Sequence, residues 1–211
     1  DKAISVDKDG KKVDEASDLG VISSGVTFDK NIFVLLGNKI LKTTFESSKK
    51  EEVASVSGAS DLGVFLGNVY ILGASQINKF VPIEGGYSKG TDYLEKGEDF
   101  SANSRFAIDG SVWVTKGNEV LKYTRGKKED FSIQGLTGTN SDFYNIYTSA
   151  DIDNLYIVDH ANSAVLVVGK DGTYKKSYQS GEFTKLTSIM VDEAAGKMYI
   201  TSGGKILVAS L

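Results

Sequence analysis

The sequence predicts an all-β chain of the β-propeller class, built from four-stranded antiparallel blades, with five blades the simplest count. Three observations carry this expectation: a repeat near 43 residues, an aromatic at the same place in every repeat, and almost no segment with a helical period. Five segments place apolar–aromatic–apolar after a turn residue: "NIFVLLG" at Asn31, "NVYILGA" at Asn68, "SVWVTKG" at Ser111, "NLYIVDH" at Asn154 and "KMYITSG" at Lys197. Their aromatics are Phe33, Tyr70, Trp113, Tyr156 and Tyr199, spaced by 37, 43, 43 and 43 residues. The hexapeptide "ASDLGV" occurs at Ala16–Val21 and again at Ala59–Val64, and six residues that follow the first copy have no counterpart after the second, which explains the short interval.

Each aromatic segment is expected to be the second strand of its blade. Ahead of it lies an apolar first strand ("GVTFD", "LGVFL", "RFAID", "YTSADID", "SIMVD"). Behind it come a third strand ("KILKTTF", "INKFVPI", "EVLKYTR", "AVLVVGK", "KILVASL") and, in three repeats, a polar fourth ("EEVASVS", "EDFSIQG", "TYKKSYQ"). A charged outermost strand discourages edge-to-edge pairing, and an apolar second strand suits a position packed on both faces. The spacing divides the chain, read as one domain over 1–211, into blades over 17–57, 58–100, 101–138, 139–181 and 182–211. A third-strand and fourth-strand pair at 3–16 precedes them, joined by the "KDG" turn at Lys8–Gly10. The last repeat ends without a fourth strand, so Lys11–Ala16 is expected to complete it. That leaves Ala3–Val6 surplus, as a six-bladed ring cut short would also do.

With 40% hydrophobic and 25% charged residues, the composition is that of a globular domain. A net charge of −4 gives no electrostatic reason to coat a phosphate backbone, so nucleic acid is excluded as the expected partner. The longest apolar runs are too short to span a bilayer, which excludes membrane insertion by this segment. The absence of cysteine excludes disulfides and thiolate metal sites and leaves the compartment open. The chain starts at Asp1 without a leader, so a fragment or processed form of a longer protein is the expectation, as a monomer with no cofactor.

The fourth repeat, "ADIDNLYIVDHANSAVLVVGKDGTYKKSY", resembles an NHL repeat, with Asn154, Tyr156, Asp159, Asn162, Val165 and Gly172 at that family's characteristic places. The other repeats share only its strand skeleton. The whole chain also resembles C-terminal propeller regions of candidate-phylum bacterial proteins, some of which carry a metal-dependent protein phosphatase domain upstream; "AIDGSVWV" and "YTRGKKEDFSIQGL" carry this likeness. The resemblance implies a sensing or docking module, with any phosphatase chemistry in another segment and an extracytoplasmic setting if a membrane helix precedes it.

Little in the residues points to catalysis. His160 is the sole histidine and lacks a second imidazole or thiolate, so it reads as a turn residue. The stretch Asp7–Asp18 looks like a calcium loop but has Gly10 fourth and Asp18 twelfth where an EF-hand needs Gly sixth and Glu twelfth, so a hairpin fits better. Lys122, Arg125, Lys127 and Lys128 read as a solvated turn. Asp18 and Asp61 fall in connections between a fourth strand and the next first strand, with Asn103, Asp142 and Glu182 at corresponding places. A set of carboxylates and amides on one face could hold a cation, a sugar or a basic peptide, or could simply cap the turns. Tyr87, Tyr93 and Phe100, in the excursion "EGGYSKGTDYLEKGEDF", are expected as exposed ligand contacts or as a lid over the outer strand. The leading expectation is a non-catalytic module binding a protein, peptide or glycan. Its rivals are a calcium-dependent lactonase-like or lyase-like propeller enzyme and a structural spacer.

Overall fold

The computed structural model describes residues 2–7, 11–47, 49–138 and 140–211, and every element among them is a strand. The chain falls into two compact units, Asp1–Ala102 and Asn103–Leu211.

The first unit opens with an antiparallel pair, β1 (Ala3–Val6) and β2 (Lys12–Ala16). Two blades follow. One orders β3 (Ser24–Phe28), β4 (Asn31–Leu36), β5 (Lys39–Thr44) and β6 (Glu51–Ser55) side by side in chain order. The other orders β7 (Asp61–Phe65), β8 (Asn68–Leu72) and β9 (Ile77–Phe80). The excursion then forms a small hairpin, β10 (Pro82–Ile83) with β11 (Gly86–Tyr87), before β12 (Thr91–Asp92) returns to pair with β9.

The second unit holds three blades. The first comprises β13 (Phe106–Ile108), β14 (Ser111–Lys116), β15 (Glu119–Thr124) and β16 (Lys127–Glu129). The second comprises β17 (Phe143–Tyr147), β18 (Asn154–Asp159), β19 (Ala164–Gly169) and β20 (Tyr174–Gln179). The third has three strands, β21 (Leu186–Asp192), β22 (Lys197–Ser202) and β23 (Lys205–Ser210). Five antiparallel meanders of this form are the blades of a β-propeller.

The register bears out the repeat. Phe33, Tyr70, Trp113, Tyr156 and Tyr199 are each the third residue of a second strand, facing Lys42, Lys79, Lys122, Val167 and Val208 on the third strands. β4, β8, β14 and β18 are buried on both faces, as a mid-blade strand should be, whereas β22 alternates buried with half-exposed. Between the first two blades, Phe33, Leu35 and Ile40 meet Leu62, Val69 and Ile71. In the second unit, Trp113 and Val120 pack on Leu155, Ile157 and Leu166, and Tyr156, Val158 and Val165 pack on Ile189, Met198 and Ile200. Each meander thus covers its apolar surface with its neighbour's flank.

Three expectations are corrected. The first strand of the fourth blade is Phe143–Tyr147 rather than "YTSADID"; Thr148–Asp153 is a turn, in which the Thr148 hydroxyl donates to the Asn154 carbonyl at 2.9 Å. The expected fourth strand "EDFSIQG" contributes only its first residue, Glu129, to β16, and the chain then leaves the blade. Finally, β2 is laddered to β1, and β23 has β22 as its ladder partner, so the surplus strand takes the pairing expected for the last blade. The turn at Lys8–Gly10 lies outside the described residues, but Asp7 N donates to the Lys11 carbonyl at 2.8 Å, as a hairpin requires.

One hairpin turn carries an unusual residue. Leu66 and Gly67 link β7 to β8 with φ of 50° and 78°, the pair of positive angles that favours Asn-Gly. An L-residue with a branched apolar side chain is strained there, and Leu66 is 73% exposed, so packing returns little. Leu66→Asn is expected to stabilise the chain by about 1 kcal/mol, read as a rise of about 2–4 °C in Tm.

Burial also sets the alkaline limit. It pushes the Tyr70, Tyr87, Tyr147 and Tyr156 hydroxyls above the usual tyrosine range, with smaller contributions from Glu51 at Tyr87, Asp192 at Tyr147 and the Glu193 hydrogen bond at Tyr156. Because the folded pKa exceeds the unfolded value near 10, this stability is fully present below about pH 10 and is lost as pH rises through the folded values. Urea titrations at pH 9 and pH 11 should show that loss, and Tyr156→Phe should make it smaller.

Candidate functional site

Within each unit, the first strands of neighbouring blades touch one another: β3 with β7 in the first, β13 with β17 and β17 with β21 in the second. These edges are therefore where adjacent blades converge. Register puts a polar residue at one equivalent position on each, opposite the fifth residue of the second strand. Ser24 faces Leu35, Asp61 faces Leu72, Asn145 faces Val158 and Ser188 faces Thr201. Arg105 lies against Thr115, whose backbone N–H donates to its carbonyl at 2.9 Å. Of these five only Asp61 stands out in the sequence. Asn145 and Ser188 are hidden because bulges in β17 and β21 break the alternation that would have marked them.

In the first unit, the Ser24 hydroxyl donates to Asp61 Oδ1 at 2.6 Å and the Leu62 N–H donates to the same oxygen at 2.9 Å. Asp61 is buried at 7% exposure, its carboxylate stitching two blades together. Asp18 behaves differently. It is exposed, sits in a left-handed conformation at φ 56° and accepts the Lys50 ammonium on its backbone carbonyl. It lines a hollow of about 280 Å³ with Glu15, Ser17, Phe45 and Lys50. The two copies of "ASDLGV" are thus inequivalent. The second contains strand β7, while the first precedes β3 as a loop, so the expectation that both fall in connecting loops is corrected.

In the second unit a stacked column crosses the converging edges. The Arg105 guanidinium lies 5.5 Å from the Tyr144 ring centre, and Tyr144 stacks on His160 at 4.0 Å with 17° between planes. His160 Nε2 in turn bonds the Leu186 carbonyl, and Asn145 Nδ2 donates to the Thr187 carbonyl at 3.1 Å. His160 is therefore a structural link between blades. Tyr144 is the bulged residue of β17, which turns its ring into the column.

The carboxylates and amides expected near this edge divide in two. Asp159, at 1% exposure, accepts the Asp142 N–H at 3.0 Å on Oδ1 and Asn162 Nδ2 at 2.8 Å on Oδ2, holding the connection ahead of β17. Asn103, Asp142 and Glu182 have exposed side chains. Two of their connections are held at backbone carbonyls: the His160 N–H donates to the Asp142 carbonyl at 2.9 Å, and the Ser202 hydroxyl donates to the Glu182 carbonyl at 2.7 Å.

The aromatic excursion of the second blade is a cover for its own unit. Tyr87 is half-buried and meets Phe33 edge-on at 6.4 Å, and Tyr93 meets Tyr70 edge-on at 5.5 Å. Phe100, expected to be exposed, is 5% exposed. The apolar flank of a blade whose fourth strand is only two residues long draws these rings inward. The expected basic cluster is likewise dispersed: Lys122 pairs with Glu129 at 2.8 Å and sits 5.1 Å over the Trp113 ring, while Arg125 is an exposed turn residue. Among the described residues, no group of three or more His, Asp or Glu side chains is placed to hold a metal ion.

This arrangement belongs to the β-propeller class. No family model matches the chain, and no curated protein does. Solved structures similar to it include virginiamycin B lyase from Staphylococcus aureus, at 15% identity and TM-score 0.60, covering 90% of this chain and 70% of that one. Regucalcin from Agrobacterium tumefaciens, a calcium-binding protein, is similar at 13% identity and TM-score 0.65, with coverage of 92% and 71%. A functionally unknown protein from Desulfotomaculum acetoxidans is similar at 10% identity and TM-score 0.63, with coverage of 94% and 68%. At such identities the likeness is one of fold.

Proposed function

We propose that this chain is a non-catalytic binding module of a larger bacterial protein, taking a protein, peptide or glycan at the converging edge of its blades. The observation that carries the reading is the division of polar groups there. The groups suited to acid–base work, His160, Asp61 and Asp159, are each engaged in holding loops or blades together. Asn103, Asp142 and Glu182 present exposed amide and carboxylate groups, the latter two on connections whose backbone carbonyls are hydrogen-bonded, and Asn103 and Asp142 lie two residues ahead of Arg105 and Tyr144. Pre-positioned, solvent-facing donors and acceptors next to an aromatic ring suit recognition of a peptide or sugar. The phosphatase domain implied by resemblance plays no part in this proposal.

Arrays of oligosaccharides and of peptides test it. The reading expects a saturable ligand whose affinity falls at least tenfold in the combined variant Asn103→Ala, Asp142→Ala, Glu182→Ala, with Tm unmoved by calcium or zinc. A rise of several degrees with calcium, together with turnover of a lactone or a cyclic depsipeptide, would replace it with the enzymatic rival. Full binding by the combined variant would place recognition elsewhere.

A further inference from the structure

The second unit contains a cavity of about 420 Å³ between the third strand β15, at Glu119–Leu121, and the segment that follows β16, with Phe143, the residue before Tyr144, in its lining. We propose that it docks a short extended peptide, an apolar residue flanked by lysine or arginine, added as a strand to the outer edge of β15. This site is independent of the converging-edge reading.

The cavity exists because the outer strand stops early. β16 pairs only with Lys122–Thr124, so among the described residues the outer backbone edge of Glu119, Val120 and Leu121 has no ladder partner. In the following blade the outer strand β20 covers β19 from Ala164 to Val168. After Glu129 the chain instead crosses to that blade, where Gln134 bridges Thr173 in parallel and its N–H donates to the Gly172 carbonyl at 2.8 Å. The crossing segment becomes the far wall. What lies between is a bare strand edge facing apolar side chains, the arrangement used for strand addition.

The walls define the occupant. Val120, Leu121 and Phe143 are buried, and Phe131, Ile133 and Leu136 are half-buried, giving an apolar slot for one large side chain. A volume of 420 Å³ lies in the range of small-ligand sites, roughly 300–1,000 Å³, and suits a few residues. At the mouth, Glu129 is held by Lys122 at 2.8 Å, while Glu119 and Asp130 are exposed. Two acidic side chains against the single Lys128 of the lining favour a cationic flank on the occupant over an anionic one.

Three capped pentapeptides test the proposal against the 15N-labelled chain: Lys-Ile-Phe-Ile-Lys, its acidic twin Glu-Ile-Phe-Ile-Glu, and Lys-Pro-Phe-Pro-Lys, which cannot complete a ladder. The basic peptide should shift amides of Asn118–Leu121 and Phe131–Ser141 saturably and slow exchange at Val120 or Leu121 at least tenfold. The acidic and proline twins should bind at least tenfold more weakly, and Glu119→Lys with Asp130→Lys, both exposed, should reverse the charge preference. No saturable shift at millimolar peptide, shifts confined to other residues, or equal binding by the proline twin would each overturn it. So would an unchanged charge preference in the double variant. Any of those results leaves the array assay standing, since the residues varied there, Asn103, Asp142 and Glu182, lie outside the cavity's lining.

Discussion

Asp109→Ala is expected to cost about 3 kcal/mol and to lower Tm by about 6–12 °C, one of the two largest effects anticipated for a single substitution. Asp109 occupies the turn between β13 and β14, and its side chain is only 8% exposed. Its Oδ1 accepts the Ser111 N–H at 2.9 Å and Trp113 Nε1 at 3.0 Å. Its Oδ2 meets Lys170 Nζ at 2.7 Å, and Lys170, in the turn before β20, also donates to the Ser149 carbonyl at 3.0 Å. One carboxylate therefore fixes its own turn, orients the indole at the centre of its blade and clasps the next blade. Truncation strands an indole N–H beside a ring that is 1% exposed and removes one of two acceptors from a largely buried ammonium. Asp109→Asn keeps an acceptor for Trp113 but loses the charge facing Lys170, and should cost about half as much. A double-mutant cycle with Lys170→Met, read by urea denaturation, should return a coupling of about 1–2 kcal/mol. Additive effects would show that the blades do not depend on this clasp.

The contrast between Trp113 and Asp109 shows what the sequence makes legible. The tryptophan is found by period alone, because each second strand begins at a turn and carries an aromatic as its third residue, buried in the first four blades, so insertions elsewhere do not blur it. The aspartate is one of three Asp-Gly pairs until its neighbours in space are known. Repetition also misleads. The two "ASDLGV" stretches are identical in letters, yet the six residues after the first copy move the strand downstream, leaving Asp18 in a loop and Asp61 in a buried bond with Ser24. Strand identity is decided by which residues can alternate into the core before the next turn, and Gly25–Phe28 takes that place in the first blade. The column Arg105–Tyr144–His160 left no signal because its central ring sits on a bulge, where the two-residue alternation fails by construction. Tyr87 and Tyr93 were legible as aromatics but not as cover, since a long polar excursion gives no sign of which blade it will lie upon.

Gly172→Ala should be as damaging as the loss of Asp109, for a reason of space. Gly172 is buried at φ 92°, and a methyl group built there would lie 2.3 Å from the Ser132 carbonyl oxygen, a backbone atom that cannot rotate aside. The substitution carries left-handed strain of about 1–2 kcal/mol and forces the crossing segment away from the turn. That segment is held by paired bonds, from the Gln134 N–H to the Gly172 carbonyl at 2.8 Å and from the Tyr174 N–H to the Gln134 carbonyl at 2.9 Å. Displacing it loses both and loosens Phe131, whose ring meets Trp113 edge-on at 5.0 Å. The combined cost is about 3 kcal/mol. Hydrogen exchange distinguishes this from general destabilisation. The Gln134 and Tyr174 amides should exchange by local opening, far faster than those of β18, while Gly196→Ala, in another left-handed turn with no atom within 4 Å of the added methyl, should leave them protected. Equal exchange at Gln134 in both variants would mean that the crossing segment is not anchored at Gly172. The same detachment removes one wall of the 420 Å³ cavity, so Gly172→Ala should abolish the pentapeptide shifts even though residue 172 lies outside its lining.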